Sequence, residues 1–270
     1  MNFYNFNKLK AIIGIAIPFF ILSIIAFNTQ TVSVNSPDES SSRKLIEWGF
    51  KKVPDSAPEV PESTIELLKN NSGFYLGDTT QKKLYLTFDA GFEAGYTESI
   101  LNTLKEHNVP ATFFVTGHYI KTAPELIKRM VSEGHHVGNH TINHINMPKS
   151  TDEKIAQELN DLKAQFNEVV GSDIAMDYLR PPKGEFSEHS LQVSKNLGYK
   201  SVFWSSAYVD WDENKLPSKE SALKQVTGQF HNGSIILLHN TSKRNMEILA
   251  DVIKSAQEQG YTFADLDEIQ

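Results

Sequence analysis

The sequence contains no cysteine among its 270 residues. Disulfide bonds and cysteine-ligated zinc sites are therefore excluded, and histidine, aspartate and glutamate remain as metal ligands. An excess of basic residues is also lacking, because 26 lysines and arginines stand against 33 acidic residues and leave a net charge of -7. This balance argues against a nucleic-acid-binding surface and against a polybasic membrane surface.

A long apolar run without charged residues covers residues 11–27 near the N-terminus and follows Lys8 and Lys10. Its length suits either the core of a cleaved signal peptide or a short membrane anchor. The residues at its end form a poor cleavage site, and both alternatives remain open. Since the lysines precede the run, we expect the rest of the chain to lie outside the cytoplasm. The sequence therefore predicts a signal peptide or membrane anchor over residues 1–28.

Composition divides the remainder of the chain into three parts. Residues 29–42 are rich in Ser, Thr, Asn and Pro, which is typical of a linker. Residues 43–82 carry scattered apolar positions and are predicted to form an arm packed on the main domain. Residues 83–270 are predicted to form that main domain, and 40% hydrophobic residues suffice for a sizeable core.

From residue 83 onward, predicted strands alternate with predicted helices. The strands are expected at 83–88, 111–116, 135–139, 200–206 and 234–239, with a weaker candidate at 176–179. Apolar residues step by four and three over 155–169, between Thr151 and Gly171, which predicts a helix. Similar patterns precede Gly260 and run from Pro124 to Gly134. Alternation of this kind predicts parallel strands with helices outside, as an open sheet or a barrel.

Four polar residues end or follow predicted strands: Asp89, His140, Arg180 and His239. In barrels, catalytic groups lie at the carboxyl ends of the strands, so these side chains are expected to meet at one face. His144 lies four residues after His140, a spacing that suits one metal ion. A carboxylate, a histidine pair, an arginine and a further histidine are the groups that metal-assisted hydrolysis requires.

Each candidate also has a structural interpretation. Aspartate is common in turns at strand ends, and Asp89 is compatible with such a turn. Two histidines in an exposed loop are more often solvated than metal-bound. Arg180, before two prolines, is compatible with a rigid loop. His239 closes a buried strand and therefore needs a polar partner. The remaining histidines are predicted to be surface or structural residues: His107, His118, His135, His136, His189 and His231.

The order of the motifs is more specific than any one of them. Thr-Phe-Asp, His-x-x-x-His, Arg-Pro-Pro-x-Gly, Asp-Trp and Leu-Leu-His follow one another between residues 87 and 239. This order resembles the polysaccharide deacetylase family, carbohydrate esterase family 4, with its NodB-homology domain, over about residues 83–270. One branch of this family deacetylates N-acetylmuramic acid in spore peptidoglycan, a step towards muramic delta-lactam. The sequence is similar to that branch at residues 48–50, 74–78, 90–97 and 180–187.

The resemblance implies a role for each matching residue. Asp89 corresponds to the general base that activates water, and Arg180 to the arginine that orients this base. His140 and His144 correspond to the metal-binding pair. The backbone N–H of Lys183 corresponds to the donor that holds the oxyanion.

The later motifs complete the implied set. His239 corresponds to the general acid, and Asp210 to the aspartate that tunes it. Trp211 and Leu237 correspond to the walls of the acetyl pocket. The implied fold is a distorted (β/α) barrel with fewer than eight regular units.

One position departs from the family pattern. The residue after the general base is Ala90, where most members carry a second aspartate that ligates the metal. Two imidazoles alone suit zinc or a neighbouring first-row ion, held weakly. We therefore expect a weakly bound divalent metal, with zinc as the first choice.

Together these observations predict an N-deacetylase that acts on muramic acid residues of peptidoglycan, either secreted or anchored in the membrane. An alternative is the same hydrolysis on N-acetylglucosamine, in peptidoglycan or in chitooligosaccharides. An alternative of another class, motivated by Ala90, is an inactive wall-binding protein. The predicted partner is the glycan strand, without nucleic acid and without an obligate protein partner.

Overall fold

Residues 42–54 and 56–269 are those that the computed structural model of the chain describes. The predicted signal peptide or anchor, and residues 29–41 of the predicted linker, lie outside these described residues. Among the helices formed by the described residues, none has the length and apolar character needed to cross a membrane.

Ten strands and eight α-helices follow one another along the described residues. The strands are β1 (Ile46–Glu47), β2 (Gly73–Phe74), β3 (Lys83–Ala90), β4 (Thr112–Val115), β5 (His136–Asn139), β6 (Tyr178–Leu179), β7 (Glu185–Phe186), β8 (Lys200–Val202), β9 (Ser234–His239) and β10 (Thr262–Phe263) within the described residues. The helices there are α1 (Glu62–Asn70), α2 (Thr97–His107), α3 (Gly117–Thr122), α4 (Pro124–Ser132), α5 (Asp152–Val170), α6 (Glu188–Asn196), α7 (Lys219–Thr227) and α8 (Lys243–Glu258).

Parallel pairing builds one curled sheet. β3 pairs with β9 on one side and with β4 on the other, and β5, β6, β8 and β2 continue the sheet beyond β4. A bridge between Ser206 and Ile236 joins the chain beyond β8 back to β9, which closes the curl. This is the distorted (β/α) barrel with fewer than eight regular units that the resemblance implied, and that prediction is confirmed.

The predicted strand over residues 200–206 is shorter than expected. β8 ends at Val202, and the amides of Ser205 and Ser206 then donate hydrogen bonds to the carbonyl of Ile235. The chain leaves β8 at this point because its backbone groups pair with β9 instead. The segment that leads to Asp210 is thereby directed across the carboxyl end of the barrel.

α5 forms where the apolar periodicity predicted it. Thr151 caps its first turn by accepting a hydrogen bond from the amide of Lys154, and Gly171 ends it at φ 71°. Because its apolar residues recur every three or four positions, they lie on one face and are buried, namely Ile155, Leu159, Leu162 and Phe166.

Residues 43–82 pack on the sheet through two short strands and a small aromatic cluster. β2 pairs in parallel with β8, and β1 pairs with β7. Trp48 lies against Phe203 with ring centroids 4.8 Å apart, and its indole N–H donates to the carbonyl of Trp204 at 3.0 Å. The predicted boundary at residue 83 stays a prediction. β2, which lies before this residue, already belongs to the central sheet.

Candidate active site

Asp89 and His239 lie side by side at the carboxyl end of the barrel. Parallel pairing of β3 with β9 places them in register, as direct Cα partners. Asp89 precedes the last residue of β3, and His239 ends β9. His140 follows directly on β5 and Arg180 directly on β6, so the curl of the sheet brings all four to one end.

The Asp89 carboxylate is held by a buried cation. The Arg180 guanidinium donates from Nη1 to Oδ1 of Asp89 at 2.9 Å, and Nε2 of His140 lies 3.6 Å from Oδ2. Burial by itself raises the pKa of Asp89, but the neighbouring positive charges outweigh it, so that this pKa lies below its usual value. Asp89 is therefore ionised at neutral pH and retains the lone pairs of a general base.

Several contacts fix the orientation of the Arg180 side chain, which in turn positions Asp89. Its side chain is fully buried, Nη1 also donates to Oγ1 of Thr87 at 2.9 Å, and Nε donates to the carbonyl of Val202. The guanidinium carbon lies 4.2 Å from the ring centre of Phe114. Because the planar guanidinium is bonded to groups of two strands, it has one orientation. It therefore holds the Asp89 carboxylate in one orientation as well.

His140 and His144 form an imidazole pair beside Asp89. Nδ1 of His140 lies 2.8 Å from the carbonyl of Arg180, and the two ring centres are 4.9 Å apart. Burial lowers the pKa of His140, and desolvation together with His140 lowers the pKa of His144 to about 4. Both rings are thus neutral near pH 7, which is the form that ligates a metal.

The loop that carries this pair has an unusual backbone. Thr141 and His144 have φ values of 60° and 53°, in the left-handed region. Asn143 is anchored to the buried carboxylate of Glu158, which accepts its backbone and side-chain N–H groups, both at 2.8 Å. Sequence reasoning missed Glu158; its signal is a charged residue on the buried face of α5. The anchor stabilises a conformation that costs energy on its own.

Asp210 holds His239 on the other side of the cleft. Nδ1 of His239 is 2.7 Å from Oδ1 of Asp210, and the amide N–H of His239 donates to Oδ2 at 2.7 Å. Burial alone lowers the pKa of His239, but the hydrogen bond to Asp210 and the charge of that carboxylate outweigh it and raise this pKa above its usual value. His239 is therefore the group at this site that retains a proton to donate.

Asn245 ties this pair to helix α8 and was not predicted. Its amide nitrogen donates to Oδ2 of Asp210 and, at 3.0 Å, to the carbonyl of His239. The hydroxyl of Tyr208 donates to its amide oxygen. Asn245 lies in the first turn of α8, and no motif in the sequence distinguishes it from a surface residue.

The remaining predicted residues have different environments. Trp211 lines the cleft and is 64% exposed, whereas Leu237 is buried within β9. Lys183 has an exposed side chain and a left-handed backbone, with φ 59°. The methyl group of Ala90 is fully buried among the apolar residues of the main core. The roles predicted for Trp211, Leu237 and Lys183 stay predictions.

A cleft of 290 Å³ lies above these groups. Asp89, His140, His144, Trp211 and His239 line it together with six residues that sequence reasoning did not single out as site residues, namely Gly91, Phe92, Ala94, Tyr96, Glu213 and Thr241. The cleft therefore brings the Asp89 carboxylate, an imidazole pair and the His239 ring to one open space.

A second cluster of possible metal ligands lies at the amino end of the strands. His136 begins β5, and its Nε2 is 3.0 Å from Oδ2 of Asp265 and 3.4 Å from Oδ2 of Asp267. Ligand atoms of these three residues lie within 4.8 Å of one another, close enough to hold an ion. Without an ion, His136 still forms ion pairs with Asp265 and Asp267. The surface or structural role predicted for His136 stays a prediction.

Comparisons with known proteins agree with this geometry. The family model described as "Polysaccharide deacetylase" matches residues 76–202. The peptidoglycan-N-acetylmuramic acid deacetylase PdaA of Bacillus subtilis is 43% identical over 86% of this chain and 88% of its own. A peptidoglycan-N-acetylglucosamine deacetylase of Bacillus cereus is 32% identical over 70% of this chain and 88% of its own.

The solved structure of Bacillus subtilis PdaA, described as a family 4 carbohydrate esterase, superimposes with a TM-score of 0.81 at 43% identity. It covers 84% of this chain and 97% of that one. The fold, the order of the motifs and the relatives all agree, and the chain belongs to the polysaccharide deacetylase family, carbohydrate esterase family 4.

Proposed function

We propose that this protein hydrolyses the N-acetyl group of N-acetylmuramic acid residues in peptidoglycan and releases acetate. The observation that carries the proposal is the pairing of Asp89 with His239 in direct register at the cleft. The pKa of the first lies below its usual value and that of the second above it. The resemblance to PdaA along most of both chains supports muramic acid as the substrate residue.

The reaction begins with water in the cleft. An amide resists hydrolysis because its carbonyl is a poor electrophile and its amine a poor leaving group. Asp89, ionised and oriented by Arg180, accepts a proton from the water as the oxygen attacks the acetyl carbonyl. The fixed guanidinium keeps the acceptor oxygen aimed at one place, so little reorganisation is needed in the transition state.

Negative charge then develops on the carbonyl oxygen. The backbone N–H of Lys183 is the proposed donor to this oxyanion. His140 and His144 present neutral nitrogen donors that fit a first-row divalent ion, and such an ion, when bound, polarises the carbonyl as a Lewis acid. We propose zinc for this position, bound weakly because Ala90 supplies no carboxylate.

Collapse of the tetrahedral adduct requires a proton on the leaving nitrogen. His239 is the proposed donor, since Asp210 stabilises its imidazolium form. The C–N bond then breaks to give acetic acid, which ionises to acetate, and a free amine on the sugar. Return of the proton from Asp89 to His239 through solvent restores both groups. Trp211 and Leu237 are proposed to enclose the acetyl methyl group, with Trp211 open to the cleft.

The biological setting is also part of the proposal. An enzyme for peptidoglycan acts outside the cytoplasm, which agrees with the signal peptide or membrane anchor predicted over residues 1–28. Deacetylated muramic acid exposes the amine needed for delta-lactam formation, and we propose this modification of spore cortex as the purpose of the reaction.

Two alternatives have specific support. The Bacillus cereus relative is described as acting on N-acetylglucosamine, at lower identity than PdaA. An inactive wall-binding protein is suggested by Ala90. The hydrogen bonds among Asp89, Arg180, Asp210 and His239 argue against it, because binding alone has no use for an acid and a base with opposed protonation states.

Mass spectrometry of defined glycan fragments tests the proposal. Fragments of peptidoglycan without stem peptides are incubated with the protein, and the position of the lost acetyl group is read from fragment masses. Loss from muramic acid supports the proposal, and loss from glucosamine supports the first alternative. Absence of acetate release with bound fragment supports the second.

A further inference from the structure

An exposed phenylalanine lies at the rim of the cleft. Among the described residues, four large hydrophobic side chains are strongly exposed, namely Phe92, Leu197, Val209 and Trp211. Phe92, at 53% exposure, lines the cleft together with Trp211 and His239. Two exposed aromatic side chains at one cleft form an apolar patch of the kind that marks ligand-binding grooves.

The loop that presents Phe92 is rigidly built. The carboxylate of Glu93 accepts hydrogen bonds from the amides of Gly95 at 2.5 Å and Thr97 at 3.3 Å, and from the hydroxyl of Tyr119 at 3.1 Å. The bond from Thr97 satisfies the first amide of α2, whose N-cap residue accepts no side-chain cap bond. The residue next to Phe92 is thus fixed by three donors from two parts of the chain.

The backbone of Phe92 is also bound to the catalytic strands. Its carbonyl accepts a hydrogen bond from the side-chain amide of Asn240 at 3.1 Å, and Asn240 is fully buried. The amide N–H of Asn240 donates to the carbonyl of Asp89 at 3.3 Å, and Asn240 follows His239 in the chain. The backbone of Phe92 therefore has a fixed position relative to the proposed base and acid.

The size of the cleft determines what reaches this ring. Its volume of 290 Å³ lies at the lower end of the range for ligand pockets. A polymer whose reacting residue occupies the cleft must place its neighbouring residue on the rim. A pyranose ring presents a face of C–H groups, and a flat aromatic ring offers an apolar surface that matches it.

We propose that the ring of Phe92 is the stacking surface for the sugar that adjoins the residue being deacetylated. This inference rests on the proposed function and adds a requirement to it, because the occupant is the next sugar of the same glycan strand. A fragment that contains this neighbouring sugar gains the contact, and N-acetylmuramic acid alone does not. The efficiency of deacetylation therefore rises with glycan length.

Kinetics on fragments of two lengths test the stacking surface. Peptide-free tetrasaccharide from peptidoglycan and N-acetylmuramic acid alone, which has no adjoining sugar, are compared as substrates of the wild type and of Phe92→Ala, Phe92→Trp and Leu197→Ala. We expect Phe92→Ala to lower kcat/KM on the tetrasaccharide by about tenfold, through KM, as the loss of one aromatic contact predicts. Phe92→Trp keeps the length dependence, and Leu197→Ala, which removes an exposed side chain on another surface, behaves as the wild type.

A binding measurement separates this inference from the reaction itself. Trp48 is buried and Trp204 half-buried, so quenching of tryptophan fluorescence by acrylamide reports mainly on Trp211, beside Phe92 at the cleft. In an Asp89→Asn background, tetrasaccharide is expected to protect Trp211. Adding Phe92→Ala is expected to raise the half-protecting concentration by about tenfold.

If the half-protecting concentration of tetrasaccharide is the same with and without Phe92→Ala, Phe92 is not the stacking surface. The same conclusion follows if the tetrasaccharide does not protect Trp211 at all. Protection that depends on Phe92 without any acetate release by the wild type leaves the stacking surface in place and refutes the proposed function.

Discussion

Asp210 contacts His239 twice, with one carboxylate oxygen on the ring Nδ1 and the other on the backbone N–H, each at 2.7 Å. The two contacts fix both the position of the residue and the rotation of its ring. Nδ1 is the donor to Asp210, so Nε2 is the nitrogen left to serve the substrate. Asn245 holds the second oxygen of Asp210 in turn, and the pair behaves as one unit.

Loss of the carboxylate base is expected to abolish most of the turnover. Asp89→Asn keeps the size of the side chain but removes the proton acceptor, and we expect kcat to fall by about 10²- to 10⁴-fold. Acetate release from peptidoglycan fragments measures the change. The melting temperature serves as control for the fold, and near-normal turnover in a folded variant excludes Asp89 as the base.

The alkaline limb of the pH profile is expected to depend on Asp210. Because Asp210 raises the pKa of His239, the imidazolium form persists to higher pH in the wild type, and activity falls as pH rises through that pKa. In Asp210→Asn the fall should begin at lower pH. A profile of kcat/KM against pH checks the shift, with the acid limb as internal reference. An alkaline limb at the same pH in both proteins contradicts the pairing.

Metal binding is expected to depend on the imidazole pair. Titration calorimetry with zinc should detect a weak, exchangeable site in the wild type, and the His140→Ala/His144→Ala variant should lose it. His136→Ala is the matched control, since it removes a histidine of the second cluster at the other end of the strands. If zinc binding vanishes in His136→Ala and persists in the double variant, the ion belongs to the second cluster.

Ala90→Asp tests whether position 90 can supply the missing ligand. The wild-type methyl group is fully buried in the apolar core, so a carboxylate there is expected to lower the melting temperature in chelated protein. Zinc raises the melting temperature of the variant more than that of the wild type only if the new carboxylate turns from the core to the ion, which then offsets the buried charge. An equal rise in both proteins shows that the new carboxylate does not reach the ion.

The His136 cluster is expected to make stability depend on pH. The hydrogen bond to Asp265, with the charges around it, raises the pKa of His136 in the folded state. The stabilising contribution is fully present below the unfolded pKa of about 6.5 and is lost as pH rises through the folded pKa. The melting temperature of the wild type should therefore exceed that of His136→Asn by more at pH 6 than at pH 8.5.

His118→Asn, an exposed histidine on α3, is the control for this experiment. The expected difference is small, since the His136 ring is partly exposed and solvent screens its ion pairs. A constant difference between wild type and His136→Asn across this range shows that the ion pairs contribute nothing.

Much of the site was predictable because its signals are local. A polar residue at the end of an apolar run marks the carboxyl end of a buried strand, and this placed Asp89, His140, Arg180 and His239 at one end of the barrel. The helix over residues 152–170 was predictable for the same reason, since periodicity and capping depend on neighbours in the chain. The order of the motifs then indicated the family, which the comparisons confirmed.

Other features depend on contacts between distant parts of the chain. Arg180 reaches Thr87 and Asp89 across the barrel, and these residues are 93 and 91 positions away from it in the chain. The buried carboxylate of Glu158 anchors the loop of His140 and His144 from a helix, and Asn245 anchors Asp210 in the same way. None of these partners is marked by its own sequence neighbourhood.

The sequence by itself determined which residue types end the strands, and hence that a carboxylate, an imidazole pair and a further histidine share one edge. Only the tertiary structure decided that Asp89 faces His239 in register, that the methyl group of Ala90 points into the core and that Phe92 stands exposed beside the cleft. The physical reason is that strand ends follow from local hydrophobicity. Distances and orientations across the barrel follow from the curl of the sheet and from side-chain packing, to which every strand contributes.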